Sequence, residues 1–313
     1  MKEQVEFIGI DKGNGYIKAG SEIIFPAGLS VTEGEPLSNY RLLKYNGKQY
    51  NIGDSRLKFT KDKANEAFLV LALAAIAMRL EKVNKQKGDV VLGLGAPISD
   101  YGFLKNTYTN YFTKNNLNFA FNGKKYEIDI KKVYCFPQGI AGFLHNYHNF
   151  GSEYSYFNLL DFGNITLDAV TIGKDKKPIL DSAISLEYGM TSLVKRIQKK
   201  VNHTLGISLA EEQVELALTE KTSVFFNERI QEIIEEAKKD FIEDSFKELH
   251  ENGFKLQGSI NVLMGGGAKI VNASIDANNH QKTIGYAEVM PDEQFANSLG
   301  FEKLAKQAYL QGR

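Results

Sequence analysis

Apolar and polar positions change period several times along the chain, and each change marks an element. Val5–Ile10 is mostly apolar and breaks at Asp11–Gly15, and Tyr16–Ile24 resumes with apolar residues at alternate places. Residues 158–173 repeat the scheme as Asn-Leu-Leu-Asp-Phe-Gly-Asn-Ile-Thr-Leu-Asp-Ala-Val-Thr-Ile-Gly. Each stretch predicts a β-hairpin whose turn carries an acid and a glycine, Asp11 with Gly13 and Asp161 with Gly163. Between the two copies, periodicity predicts a helix over Asn65–Leu80, a buried strand over Asp89–Leu94, a helix over 99–113, and strands over Tyr126–Ile130 and Val133–Phe136. Pro137 is placed to open a helix, with Gln138 in its first turn.

After the second hairpin come a strand over Ile179–Glu187 and a helix over Gly189–Leu205, with Met190, Leu193, Val194, Ile197 and Val201 on one face. A shorter helix over Leu209–Leu218 follows, with Ser208 as its N-cap. Phe225–Leu249 predicts a long amphipathic helix with Phe226, Ile230, Ile233, Ile234, Ala237, Phe241 and Leu249 as its stripe and Gly253 as its terminator. Ser259–Met264 is a buried strand, Gly265-Gly266-Gly267 a tight loop, and Ala268 the start of a helix. A last helix is expected over 292–313.

Residues 25–63 are rich in Gly, Pro and Asn and predict a small inserted lobe. Its short strands, Tyr40–Tyr45 and Gln49–Ile52, flank an Asn46-Gly47 turn. Residues 146–157 predict a boundary. The expected organisation is a first domain over 1–150, a second over 151–291, and a terminal helix that packs back on the first. The recurring hairpin implies a duplicated α/β unit with a ligand held between the copies.

Composition narrows the function. The chain has 313 residues with 43% hydrophobic and 24% charged, enough for two domains and a sizeable core. Basic and acidic residues both number 38, so the formal net charge is zero. That argues against a direct nucleic-acid binder or a membrane-surface protein. The single Cys135 forms no intrachain disulfide and lies among apolar residues, which points to a buried, inert thiol in a reducing compartment. Acidic residues and strand pattern begin at once, without a leader pattern, and the longest apolar run, Ala67–Met78, falls short of the about 20 residues that span a bilayer. A cytoplasmic location is expected.

The candidate chemistry lies in the turns. A tight Gly-containing turn can aim backbone N–H groups at phosphate oxygens. An Asp beside it repels phosphate unless a divalent cation intervenes, and Mg²⁺ is typically held through one or two carboxylates plus phosphates. Asp-x-Gly-Asn is also ordinary hairpin chemistry; its second copy is what suggests a clamp on a metal–nucleotide. Lys18, on the first return strand, is either a phosphate contact or a solvated lysine. Gln138 either orients a water or is a plain turn residue. The three glycines 265–267 either admit a flat ligand or form a bare turn.

Five segments, taken in order, resemble the actin-like ATPases, and in particular the bacterial plasmid-segregation proteins of the ParM type. Gly9-Ile10-Asp11-Lys12-Gly13-Asn14-Gly15-Tyr16-Ile17-Lys18 is similar to the first phosphate loop. Pro137-Gln138-Gly139-Ile140-Ala141-Gly142 is similar to the first connecting helix. Leu160-Asp161-Phe162-Gly163-Asn164-Ile165-Thr166-Leu167-Asp168 is similar to the second phosphate loop. Met264-Gly265-Gly266-Gly267-Ala268 is similar to the adenosine loop, and Gln294–Phe301 to the C-terminal segment. Two positions depart: Asn164 stands where Gly or a small hydroxyl residue is usual, and Gln138 where ParM-like members often carry Glu and actin carries Gln.

The resemblance implies an α/β actin/sugar-kinase fold, ribonuclease H-like and duplicated, with two domains around a cleft for ATP or ADP and Mg²⁺. It implies that Asp11 holds the metal through water. Gly13, Asn14, Gly15, Gly163, Asn164 and Ile165 would cradle phosphates, and Lys18 would neutralise their charge. Gln138 and Asp161 would position the attacking water, with Gly265, Gly266, Gly267 and Ala268 backing the adenosine. The implied activity is ATP hydrolysis coupled to head-to-tail polymerisation, pushing plasmid copies apart with a DNA-bound adaptor protein at the filament end. Two other readings stay open: a small-molecule kinase of the same superfamily, and a nucleotide-gated scaffold that does not hydrolyse.

Overall fold

The computed structural model describes residues 5–33, 41–146, 148, 150, 156–219, 227–277 and 284–312. The chain divides into two compact units, residues 1–147 with 295–313, and residues 148–294.

In the first unit, the opening alternation becomes β1 (Glu6–Lys12), β2 (Tyr16–Ala19) and β3 (Ile23–Pro26), an antiparallel meander. The return strand expected over Tyr16–Ile24 is therefore two strands, because Gly20 takes φ +60 and turns the chain between them. β4 (Gly28–Val31), β5 (Arg41–Tyr45) and β6 (Lys48–Arg56) follow, with Asn46 (φ 48) and Gly47 (φ 74) making the left-handed turn of the β5–β6 hairpin. Residues 34–40 of the expected lobe lie outside the described residues. Its strands do not stand apart: they extend one nine-stranded sheet, ordered β3-β2-β1-β7-β9-β8-β5-β6-β4. Here β7 is Lys87–Ala96, β8 Lys114–Phe121 and β9 Lys124–Pro137. β1, β7 and β9 run parallel. β9 is one strand where two were expected, because it absorbs a register shift beside Lys132 without breaking.

One face of this sheet carries α1 (Glu66–Lys82) and α2 (Tyr101–Phe112). Asn65 caps α1 by accepting from the Phe68 N–H. Nearly every side of α1 is apolar, and Phe68 to Ala77 are all buried, so it is a core helix rather than an amphipathic one. Ile8, Ile10, Leu92 and Leu94 point into this core. Their alternates, Gly9, Gly93 and Gly95, face α8 (Ala296–Leu310), which belongs to this unit. Glycine is required there because the helix lies almost on the sheet's backbone. A Cβ at Gly9 would stand 1.9 Å from Ser298 O, and one at Gly93 2.2 Å from Phe301 O. α3 (Ile140–Asn146) packs on α8 through Gly300, where a Cβ would stand 2.2 Å from Ala141 O.

Polar groups of α8 then satisfy exposed backbone. Ser298 Oγ donates to Gly20 O at 2.8 Å, Gly9 N–H donates to Glu302 at 3.2 Å, and Arg79 donates to both Glu302 oxygens at 3.0 Å.

The second unit repeats the plan. β10 (Phe157–Phe162), β11 (Leu167–Ile172) and β12 (Pro178–Leu186) are the antiparallel meander, and β13 (Ile260–Met264) and β14 (Ala287–Val289) add in parallel to β10. The sheet order β12-β11-β10-β13-β14 mirrors β3-β2-β1-β7-β9, the architecture of a duplicated α/β fold. Its helices are α4 (Met190–Leu205), α5 (Glu211–Thr219), α6 (Glu228–Glu251) and α7 (Ala268–Ala277). α4 buries Leu193, Val194, Ile197 and Val201 and ends at Gly206 in the left-handed region, φ 68. Ser208 is not the cap of α5. Its hydroxyl instead accepts from Asn202 at 3.2 Å, while Gln213 reaches back to the Ala210 N–H at 2.8 Å. α6 starts from Asn227, whose side chain accepts from Ile230 N–H; Phe225 and Phe226, expected in it, lie outside the described residues, as does Arg313. Much of the expected boundary over 146–157 also lies outside them. No helix among the described residues is long and apolar enough to cross a membrane.

Candidate nucleotide site

In the first hairpin, pairing sets Asp11 opposite Lys18, and Lys18 Nζ lies 3.9 Å from Asp11 Oδ2. Gln138 Nε2 donates to Asp11 Oδ1 at 3.1 Å. Thus two predicted residues, Lys18 from the same hairpin and Gln138 from far along the chain, lie beside the buried Asp11 carboxylate. Gln138 does not sit in a helical first turn. Pro137 ends β9, Gln138 N–H extends the ladder by donating to Ala96 O, and Gly139 at φ +75 turns the chain so that α3 begins at Ile140. The correction has a plain cause: a proline without an N–H is tolerated at a strand end as well as at a helix start. Gly13, Asn14 and Gly15 form the turn itself. A Cβ at Gly13 would stand 2.6 Å from Tyr16 O, so only glycine closes it, and Gly15 O accepts from Ala27 N–H at 2.9 Å.

The second loop is built onto a helix start. Gly163, Asn164 and Ile165 carbonyls accept from the N–H groups of Met190, Thr191 and Gly189 at 3.0, 2.9 and 3.1 Å. These are the donors a helix N-terminus leaves unpaired. Each peptide unit is planar and trans, so the N–H sharing a plane with each of those carbonyls points the opposite way. The amides of Asn164, Ile165 and Thr166 therefore turn away from α4 as a consecutive row, the arrangement that cradles anions. Gly189 is needed for this docking, since its Cβ would stand 2.2 Å from the Ile165 carbonyl carbon. No signal in the hairpin pattern marks Gly189; the Gly-Met start of α4 was legible only as a helix.

Asp161 lies opposite Asp168 across β10–β11, and Thr166 Oγ1 donates to Asp168 at 3.1 Å. Gly265, at φ +84, lies against Asp161: a Cβ there would be 2.3 Å from Asp161 Oδ1. Gly267 N–H donates to Phe162 O at 3.0 Å, and its Cβ would meet Met190 Sδ at 2.4 Å. A Cβ at Gly266 would meet nothing within 4 Å among the described residues, and buried Ala268 starts α7. The structure so joins Asp161, the 163–165 loop and the 265–268 loop within the second unit, with one glycine open to a flat group.

A hydrated divalent cation fits Asp11. Among the described residues the nearest cation to Oδ2 is Lys18 at 3.9 Å, too far for a hydrogen bond, so that oxygen has an acceptor position to offer.

Lys12 was missed as a structural anomaly. Alternation turns it away from Asp11 into the core, where it is 1% exposed. Its Nζ lies 3.9 and 3.8 Å from the ring centroids of Tyr108 and Phe112 and has no hydrogen-bond partner among the described residues. Lys63 Nζ donates to the Lys12 carbonyl. Burial, then the like charge of Lys63, push the Lys12 ammonium well below the ordinary lysine range. The two ring faces offset part of that cost but not all of it. Lys12→Met is expected to stabilise the chain by about 1–3 kcal/mol at neutral pH, read by urea unfolding. Between the lowered folded value and the ordinary unfolded one, the unfolded chain holds the extra proton, so wild-type stability rises with pH through that window. The gain from Lys12→Met shrinks toward pH 10. Cys135 is buried, and burial pushes its thiol up to about 11, so it is inert at neutral pH.

Residues 9–140 match the family model of the actin-like proteins' N-terminal domain, and residues 159–277 that of the archaeal actin homologue, MreB-like, C-terminal domain. No curated protein matches the chain. Among solved structures, an archaeal actin homolog superposes with a TM-score of 0.80 at 21% identity, covering 96% of this chain and 99% of that one. The same homolog in complex with ADP gives 0.76 at 21% identity over 96% and 99%. A 15-stranded ParM filament from Clostridium botulinum gives 0.75 at 21% identity over 97% and 100%. With both halves matched in order and the duplicated sheet plan in place, the chain belongs to the actin-like protein family.

Proposed function

We propose that the chain binds and hydrolyses ATP and that nucleotide binding drives its head-to-tail assembly into a filament. The observation that carries this reading is that the Gly163, Asn164 and Ile165 carbonyls accept from the start of α4; by peptide planarity the amides of Asn164, Ile165 and Thr166 then point the other way, in a row suited to an anion. Asp11, held by Gln138 and near Lys18, fits the metal side of a triphosphate. Mg²⁺, when bound, would neutralise charge between Asp11 and the phosphates. Lys18 would add a positive charge to the same group. Gln138 and Asp161 would orient the attacking water, which suits phosphoryl transfer, where positioning and charge stabilisation outweigh covalent help. Gly266 would leave room for the adenine. A heterologous contact that does not close generates a filament, and the ADP-bound homolog and the ParM filament support both halves of the reading. Plasmid segregation in the cytoplasm through a DNA-bound adaptor is the role proposed for it.

Light scattering with ATP, ADP and no nucleotide tests assembly, and phosphate release without any acceptor tests hydrolysis. Scattering should rise with ATP and then decay as phosphate appears. Phosphate release only on addition of a small-molecule acceptor would make the protein a kinase instead. Assembly without release would make it a nucleotide-gated scaffold.

A further inference from the structure

Two residues of α8 converge on Gln138. Asn297, 6% exposed, accepts through Oδ1 from the Gly139 N–H at 2.8 Å. Phe301, one turn later on the same helix face, reaches over Gly95. A Cβ on Gly95 would stand 2.1 Å from Phe301 Cζ and 2.9 Å from Gln138 Cγ, so ring and glutamine stem share the space that glycine leaves. Gln138 N–H is tied to Ala96 O at 2.9 Å. The Gln138–Gly139 turn is therefore pinned from β7 on one side and from α8 on the other. The pin matters because Gly139 sits at φ +75 in a short turn, and glycine is the residue with the most backbone freedom to lose. From this turn the Gln138 amide reaches Asp11 Oδ1 at 3.1 Å.

We propose that Asn297 is a positioning residue for Gln138. By holding the Gly139 amide it fixes the glutamine whose amide meets Asp11, and so sets the orientation of the group that directs water. Loss of the contact loosens the turn without removing any atom of Gln138, Asp11 or Lys18. The activity readout rests on the ATP reading above, but the contact itself does not.

The test compares Asn297→Ala with Asn297→Asp, which keeps an oxygen acceptor. In the nucleotide-free protein, hydrogen exchange at the Gly139 amide, read by NMR, should quicken at least tenfold in Asn297→Ala and stay within about threefold of wild type in Asn297→Asp. With ATP, kcat for phosphate release should fall at least tenfold in Asn297→Ala, KM should change less than about threefold, and Asn297→Asp should recover most of kcat. Unchanged Gly139 exchange in Asn297→Ala overturns the proposal. So does a loss of kcat that tracks a loss of Tm and is not recovered by Asn297→Asp. Absence of phosphate release from the wild-type chain overturns the ATP reading instead, and Gly139 exchange then decides the proposal by itself.

Discussion

Gly9→Ala should leave the first unit largely unfolded under conditions where the wild-type chain is native. The added Cβ would stand 1.9 Å from Ser298 O, 2.6 Å from Glu302 N and 2.9 Å from Glu302 Cβ. The two nearest are backbone atoms of a helix, so no side-chain rotation relieves the clash. α8 must lift away from β1, and lifting it breaks the Gly9–Glu302 and Ser298–Gly20 hydrogen bonds and opens the seam at Gly93 and Gly300. Overpacking with loss of a buried polar network falls in the most damaging class of substitutions, about 4 kcal/mol or more. That is a fall in Tm on the order of 10 °C for a unit of this size. Gly102→Ala is the control. It lies within α2 with nothing within 4 Å, and alanine should there be neutral or stabilising by up to about 1 kcal/mol. Thermal unfolding of both variants checks the pair; wild-type behaviour from Gly9→Ala would mean that α8 does not seat on the sheet as described.

Asp161→Ala should separate folding from turnover. The carboxylate lies opposite Asp168 in the β10–β11 register, and the variant's Tm is measured alongside turnover so that any change in folding is told apart from a change in chemistry. Nucleotide affinity should stay close to wild type, because the orientation of the Asn164, Ile165 and Thr166 amides proposed to hold phosphate is set by α4 and not by this side chain. Phosphate release should fall about 100-fold or more, the lower range for removing a group that directs or accepts a proton in the reacting water. Filaments should then form with ATP and disassemble far more slowly. Rapid disassembly with undiminished phosphate release would remove Asp161 from the hydrolytic machinery.

The hairpins and the glycine loops were legible in the sequence because their chemistry is local. Asp-x-Gly-Asn between alternating runs needs only its own neighbours to declare a turn, and the 3.6-residue stripes of α4 and α6 declare their buried faces in the same way. What remained hidden depends on residues distant in sequence. Gly9, Gly93 and Gly300 share one seam, yet nothing in the pattern around any of them says that a helix backbone will lie against it. Nothing in the pattern around Asn297 or Glu302 says which groups they meet until that helix is placed. Lys12 misleads for the opposite reason. A lysine in a turn motif is read as a surface or phosphate-facing charge, but strand alternation beside Asp11 sends it into the aromatic core. β8 escaped notice because its alternation, Leu117, Phe119 and Phe121, is short and follows an Asn-rich start with Asn116 at φ 55.

The interleaving of the chain orders its biosynthesis. β1 is made before the second unit, yet the helix that covers Gly9 and receives its N–H is made only after the whole of residues 148–294. The second unit is one continuous stretch, so all of its own strands and helices are made before the helix that completes the first. The earlier-encoded sheet must wait with one face uncovered, and its glycine seam exposed to solvent, until residues 296–310 emerge to close it.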